Sequence, residues 1–357
     1  MKKLVLASVV GMMFAASATV ATAASQVQGS AMSNQSTNQG TQTSAVYGTQ
    51  NTANTGSIGV KNSRVMGSRV NNYSGNYGTR TMAQGVGSAA NTGSVNMENA
   101  NLYRTQLNNR STNVRTGAYA SGRQATANVG SINAQRSNVY GGRIDNNSRN
   151  YGGTTSAAGY RTTANTGSVN LQDSGAYGAR MNNYSTNVNA NTFARGPYAT
   201  ANTGSISAQR SQIRGGYIGN NAYNRNTSTY ASGYDATANT GSVNMEGSQL
   251  NNAYLYNRSN NQNTRTTALG TGAIANTGSV NLEAARVNNS RLYNTSTNRN
   301  TNTYARGTGA MANTGSINVR GGQVEGSTIM NNSTNTGSST TAIGTGNTAS
   351  TGSVNIQ

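Results

Sequence analysis

The sequence predicts an all-β protein, a β-solenoid of about nine 37-residue rungs with three to four short strands in each. Three observations carry that expectation. The segment Ala-Asn-Thr-Gly-Ser-Val/Ile recurs from Ala53, Ala90, Ala127, Ala164, Ala201, Ala238, Ala275, Ala312 and Ala349, with single changes at Val129 and Ser350. Each start lies 37 residues after the last, without insertion or deletion. A fixed period of this size is the mark of stacked supersecondary units. Third, residue type follows position within the beat, in apolar columns that alternate with polar ones as a half-buried strand requires.

Columns are numbered from the alanine of the beat. Column 6 is always Val or Ile (Ile58 to Val354), and column 8 is apolar in nearly every rung, as at Met97 and Leu171. Column 13 (Val65 to Val324) and column 18 (Val70 to Ile329) are apolar too, separated by small residues such as Gly141-Gly142 that read as a bend. Column 20 is always asparagine: Asn72, Asn109, Asn146, Asn183, Asn220, Asn257, Asn294 and Asn331. So is column 24: Asn76, Asn113, Asn150, Asn187, Asn224, Asn261, Asn298 and Asn335. These columns share parity with apolar column 18, so both asparagines are expected inside. Buried amides need partners, and identical amides stacked at the strand spacing of about 4.8 Å bond to one another along the axis. The intervening columns vary and carry Arg110, Arg149, Tyr184, Arg225, Arg258 and Arg299, as a solvent face would. After Gly or Asn at column 26 a further strand is expected, with Thr at column 29, Ala at column 31 and Gly at column 33. Small residues fixed in a column mean close backbone approach.

Residues 1–24 read as a bacterial secretory leader, with Lys2-Lys3, an apolar run from Leu4 and a small-residue cleavage site at Ala21-Thr22-Ala23. The expected organisation is then a partial repeat at 25–52, eight tandem repeats at 53–348 and a partial repeat at 349–357. The two partial repeats complete one beat, with a one-residue slip near Asn38, which predicts head-to-tail self-assembly along the axis. No membrane span is expected in the mature chain.

The composition has no Cys, His or Trp and one proline, which removes disulfides, Ser-His-Asp and Cys-His catalysis and most transition-metal sites. No acidic pair or phosphate loop recurs, so the chain is expected to have no enzymatic activity and no cofactor. The net charge of +19, nearly all arginine, points to anionic partners: extracellular DNA, acidic polysaccharide or lipopolysaccharide. Arg143, Arg180, Tyr217, Tyr254 and Arg291 share column 17, an Arg/Tyr stripe suited to phosphate contact and stacking. The Thr-x-Thr pairs Thr79/Thr81, Thr227/Thr229, Thr264/Thr266 and Thr301/Thr303 raise a different expectation, a ligand-binding solenoid with an ice-binding face.

Leader, tandem repeats and Asn/Ser/Gly/Ala-rich rungs together resemble secreted bacterial functional-amyloid subunits, the class of curli and the fibrils of pseudomonads. The shorter curlin Ser…Gln-x-Gly…Asn-x-Ala…Gln repeat does not lie on these columns. The resemblance implies an extracellular fibre of the biofilm matrix or cell surface, with a role in adhesion.

Overall fold

The computed structural model describes residues 20–22, 26–29, 31–45 and 52–356. Over that span the chain is a β-solenoid of parallel, stacked strands, and among the described residues there is no helix. A complete rung has five strands rather than three to four. In the rung that begins at Thr163 they are Thr163–Thr166, Val169–Gln172, Gly175–Tyr177, Arg180–Val188 and Asn191–Arg195. The extra strand is the Ala-Asn-Thr of the beat itself, which is extended. Gly167 at φ 60 then turns the chain before column 6, and Asp173 at φ 50 turns it again after column 9.

Equivalent strands of successive rungs pair in parallel to give five sheets, one of ten strands and four of nine. They are called here the first to fifth, in the order of the strands just given; the fourth, with nine residues per strand, is the long sheet. The pairing register is the sequence repeat: Asn183 lies opposite Asn146 and Asn220. The N-terminal stretch is offset by 38, with Val20 opposite Ile58, Asn38 opposite Asn76 and Ala45 opposite Ala83. The usual offset returns at Thr52, which pairs with Ala89. The slip expected near Asn38 therefore lies between Ala45 and Thr52. Val20–Thr22, inside the expected leader, is the end strand of the second sheet; residues 1–19, 23 and 24, including the expected cleavage point, lie outside the described residues.

The interior has two apolar compartments. Ile, Val, Leu and Met of columns 6, 8, 13 and 18, such as Val169, Leu171 and Met181, form an aliphatic core under the second, third and long sheets. Alanines form a thinner one between the first and fifth sheets, among them Ala164, Ala194 and Ala199. A wedge divides them: the corner between the first and second strands points inward until its glycine touches the long sheet. A Cβ built on Gly204 would lie 2.7 Å from Asn224 Oδ1 and 2.8 Å from Asn187 Nδ2. Glycine is obligatory at column 4 because the wedge tip meets the asparagine ladder there. At column 33 the reason is backbone contact: a Cβ on Gly159 would fall 1.9 Å from the Gly122 carbonyl oxygen, and its φ of +132 lies where only glycine is at ease.

The expected ladders are present and continuous. Asn183 Nδ2 donates to Asn220 Oδ1 at 2.9 Å and accepts through Oδ1 from Asn146 Nδ2 at 2.8 Å. In column 24, Asn150 donates to Asn187 at 2.7 Å, and Asn187 to Asn224 at 2.8 Å. Both ladders extend one rung further than the repeat count suggested, to Asn34 and Asn38. A third ladder, in column 2 of the beat, runs with the opposite polarity: Asn202 Nδ2 donates back to Asn165 Oδ1, and Asn239 back to Asn202. Threonines of columns 3 and 29 add a hydroxyl zigzag, in which Thr192 donates to Thr166 and Thr203 to Thr192, both at 2.8 Å.

Candidate functional site

The long sheet has the longest strands of each described rung, nine residues against three to five, and so presents a broad outer face. Its strands alternate; in Arg69–Tyr77 the even columns are buried and the odd ones face out, with column 19 covered only at Asn182 and Gly219 among the described residues. Those odd columns place Arg69, Arg110, Arg143, Arg149, Arg180, Arg225, Arg258, Arg291 and Arg299 in solvent. Against these nine cations stands a single acid among the described residues of the face, Asp145, which Arg143 and Asn182 Nδ2 both engage. The other acids are elsewhere: Glu98 pairs with Lys61 and Arg136, and Asp173 with Arg210, along the second sheet and the corner that follows it. The long sheet is thus strongly positive, while six of the seven acids lie on other faces, where further arginines also stand.

The column 17 stripe comes together as expected, but its members do different work. Arg180 stacks its guanidinium 5.0 Å from the Tyr217 ring. Tyr217 and Tyr254 are parallel, with centroids 5.3 Å apart, and Tyr254 meets Tyr293 at 5.2 Å. Burial, chiefly, and then neighbouring phenols push the Tyr217 and Tyr254 hydroxyls above their ordinary value, so both stay neutral donors. Their ring faces are taken up by one another and by Arg180. Stacking on a ligand base, one of the two roles expected of the stripe, therefore falls away, while contact of the arginine heads with anions stays open. Arg143 is committed to Asp145, which leaves Arg180, over the Tyr217 ring, and Arg291 as the stripe's cations without a carboxylate among the described residues.

Two other expectations change. The Thr-x-Thr pairs do not form an outer array: Thr81, Thr229, Thr266 and Thr303 are buried, and their hydroxyls belong to the zigzag. An ice-binding face has no place there. Column 7, polar and flanked by apolar residues, is also inside. The outer faces of the first and second sheets fold toward each other and bury Asn170, Asn244 and Asn281 in a polar cleft, crossed by bonds such as Gln209 Nε2 to Thr200 Oγ1 at 3.3 Å.

No family model, curated protein or solved structure matches this chain. The site is therefore read from geometry alone. At the mouth of the cleft burial raises Glu246 and Glu283, each aided by neighbouring acid charge. Among the described residues no group of three His, Cys, Asp or Glu is placed to hold a metal ion. No helix of the described residues is long and apolar enough to cross a membrane.

Sequence reasoning missed the column 14 tyrosines. Tyr103, Tyr140 and Tyr177 stand opposite one another on the third sheet, and their recurrence in three successive beats was the available signal. It also missed that tyrosines lie across outward glycines two residues away: a Cβ on Gly219 would meet the Tyr217 ring at 2.7 Å, and one on Gly117 the Tyr119 ring at 2.6 Å.

Proposed function

We propose that this chain is a secreted bacterial structural protein without enzymatic activity, which stacks along its axis into a fibre of the biofilm matrix or cell surface. The observation that carries this reading is the unbroken, in-register stacking of the described rungs: the column 20 and column 24 ladders run without a gap from Asn34 to Asn331 and from Asn38 to Asn335. Parallel strands that pair with their own repeats rung upon rung add a further strand by the same bonds. The donor polarity of the column 20 and column 24 ladders favours head-to-tail over tail-to-tail joints, because a donor end needs an acceptor end. In the test, purified protein is followed by electron microscopy and fibre diffraction. Fibres with a meridional reflection at about 4.7–4.8 Å are expected, and a protein that stays monomeric at high concentration overturns the reading.

A second reading, that the fibre adheres to anionic polymers, has its own observation in the arginines of the long sheet. DNA or an acidic polysaccharide is expected to bind with an affinity that falls steeply as salt rises. Replacing Arg180, Arg258 and Arg291 together by glutamine is expected to flatten that salt dependence; an unchanged slope assigns the contact to another face.

A further inference from the structure

We propose that Tyr103, Tyr140 and Tyr177 are a site of oxidative cross-linking between rungs, their phenols coupling as dityrosine when hydrogen peroxide acts through a peroxidase. The three rings form a ladder on the outside of the third sheet. Tyr103 and Tyr140 have centroids 4.8 Å apart and planes within 7°, and Tyr140 and Tyr177 are 5.0 Å apart and within 11°. Their strands are paired in register, so the spacing is held by backbone hydrogen bonds. All three tyrosines are partly exposed and so within reach of an oxidant. The ladder is closed at its ends by Arg64, 4.8 Å over the Tyr103 ring, and by the Tyr177 hydroxyl bonded to Gln212 Oε1 at 2.9 Å. Burial, and then the two flanking phenols, raise the Tyr140 hydroxyl above its ordinary value, so the central ring begins as the neutral phenol.

The step balances. Two phenols each give one electron and the hydroxyl proton to the peroxide, which is reduced to two waters. The two phenoxyl radicals share their unpaired electrons in one carbon–carbon bond between ring positions ortho to oxygen. The hydrogens on those two carbons then move to the oxygens and restore both phenols. Tyr140 couples with either neighbour, one bond per molecule. In a chain with no cysteine, this ladder supplies a covalent staple across a 37-residue loop, which restricts the unfolded chain as a disulfide would. The coupling is independent of any polymer bound to the long sheet.

The full chain, dilute, is treated with peroxidase and hydrogen peroxide, digested and analysed by mass spectrometry. Peptides joined through 103–140 and 140–177, each two hydrogens lighter than the sum, are expected to dominate. The edge-to-face set Tyr160, Tyr198 and Tyr234, at 5.6 Å and interplanar angles of 79° and 74°, serves as the internal control and is expected to couple at least tenfold less. An equal mixture of isotope-labelled and unlabelled chain is expected to show links within one molecule. Tyr140→Phe is expected to abolish both links without changing the circular dichroism spectrum, and Tyr160→Phe to leave them intact. Links spread evenly over the tyrosines, links mainly between molecules, or an absence of the two named peptides would each overturn the proposal.

Discussion

Gly167 and Asn187 are in direct opposition: a Cβ on Gly167 would lie 2.7 Å from Asn187 Oδ1 and 2.8 Å from Asn150 Nδ2. Those two atoms are the ends of one amide–amide hydrogen bond. The invariant glycine of the beat and the invariant asparagine of the long sheet, twenty columns apart, are therefore one structural feature.

Gly167→Ala is accordingly expected to destabilise by about 2–5 kcal/mol, combining the left-handed backbone cost with overpacking against the ladder. Gly178 has nearly the same φ, +56 against +60, but nothing within 4 Å of its Cβ position. Gly178→Ala carries only the backbone cost, about 1–2 kcal/mol. Urea denaturation of the two variants separates packing from conformation; equal losses would refute the wedge contact.

Asn183→Leu keeps the branching and heavy-atom count of the side chain but leaves Asn146 Nδ2 and Asn220 Oδ1 without partners in a fully buried position. The cost is expected at about 1–3 kcal/mol for each orphaned group. Arg225→Gln, on the exposed side of the neighbouring rung, is expected to stay within about 0.5 kcal/mol of wild type. Similar denaturation midpoints for the two would mean that the faces of the long sheet are assigned wrongly.

The threonine zigzag carries its own control. Thr81 and Thr92 are bonded at 2.8 Å, yet in the next rung the corresponding pair is Ala118 and Val129, both buried and apolar. Removing both partners of a buried hydrogen bond is far milder than removing one. Thr192→Ala with Thr203→Val reproduces that natural pair. The double variant is expected to lose less stability than the sum of the singles, with a coupling of about 0.5–1.5 kcal/mol in a double-mutant cycle. Strict additivity would show that the hydroxyls act independently.

Stability is expected to depend on pH through Glu246. Burial raises its folded-state value, Asp235 raises it further, and Gln209 and Arg210 oppose. Glu283, raised by burial and by Glu246 while Arg320 opposes, acts the same way one rung on. A raised carboxyl stabilises the fold fully below its unfolded value of about 4.3, and that contribution is lost as pH rises through the folded value. The solenoid is thus expected to be more stable at pH 4 than at pH 7 in this segment. Glu246→Gln should reduce the pH slope of the denaturation midpoint, and a variant as pH-dependent as wild type would exclude this group as the source.

The sequence alone determined the rung length, the stacking register and the inward asparagines of columns 20 and 24. The physical reason is that a parallel solenoid with a constant period sets each column against itself, so one column of identical residues is one ladder. Parity did the rest along the nine-residue strands, where Asn183 and Asn187 had to share a side with Met181. The tertiary structure decided what covers each side. Parity placed Asn170 opposite its apolar neighbours, but only the fold of the first sheet against the second made that outer side a buried cleft. Periodicity likewise put Tyr217 and Tyr254 on the surface, and only the spacing of their rings showed that their faces are spent on each other. Both outcomes depend on the angles at five corners per rung, and those angles are set by contacts far apart in the chain, such as the glycine of the wedge against the ladder of the long sheet.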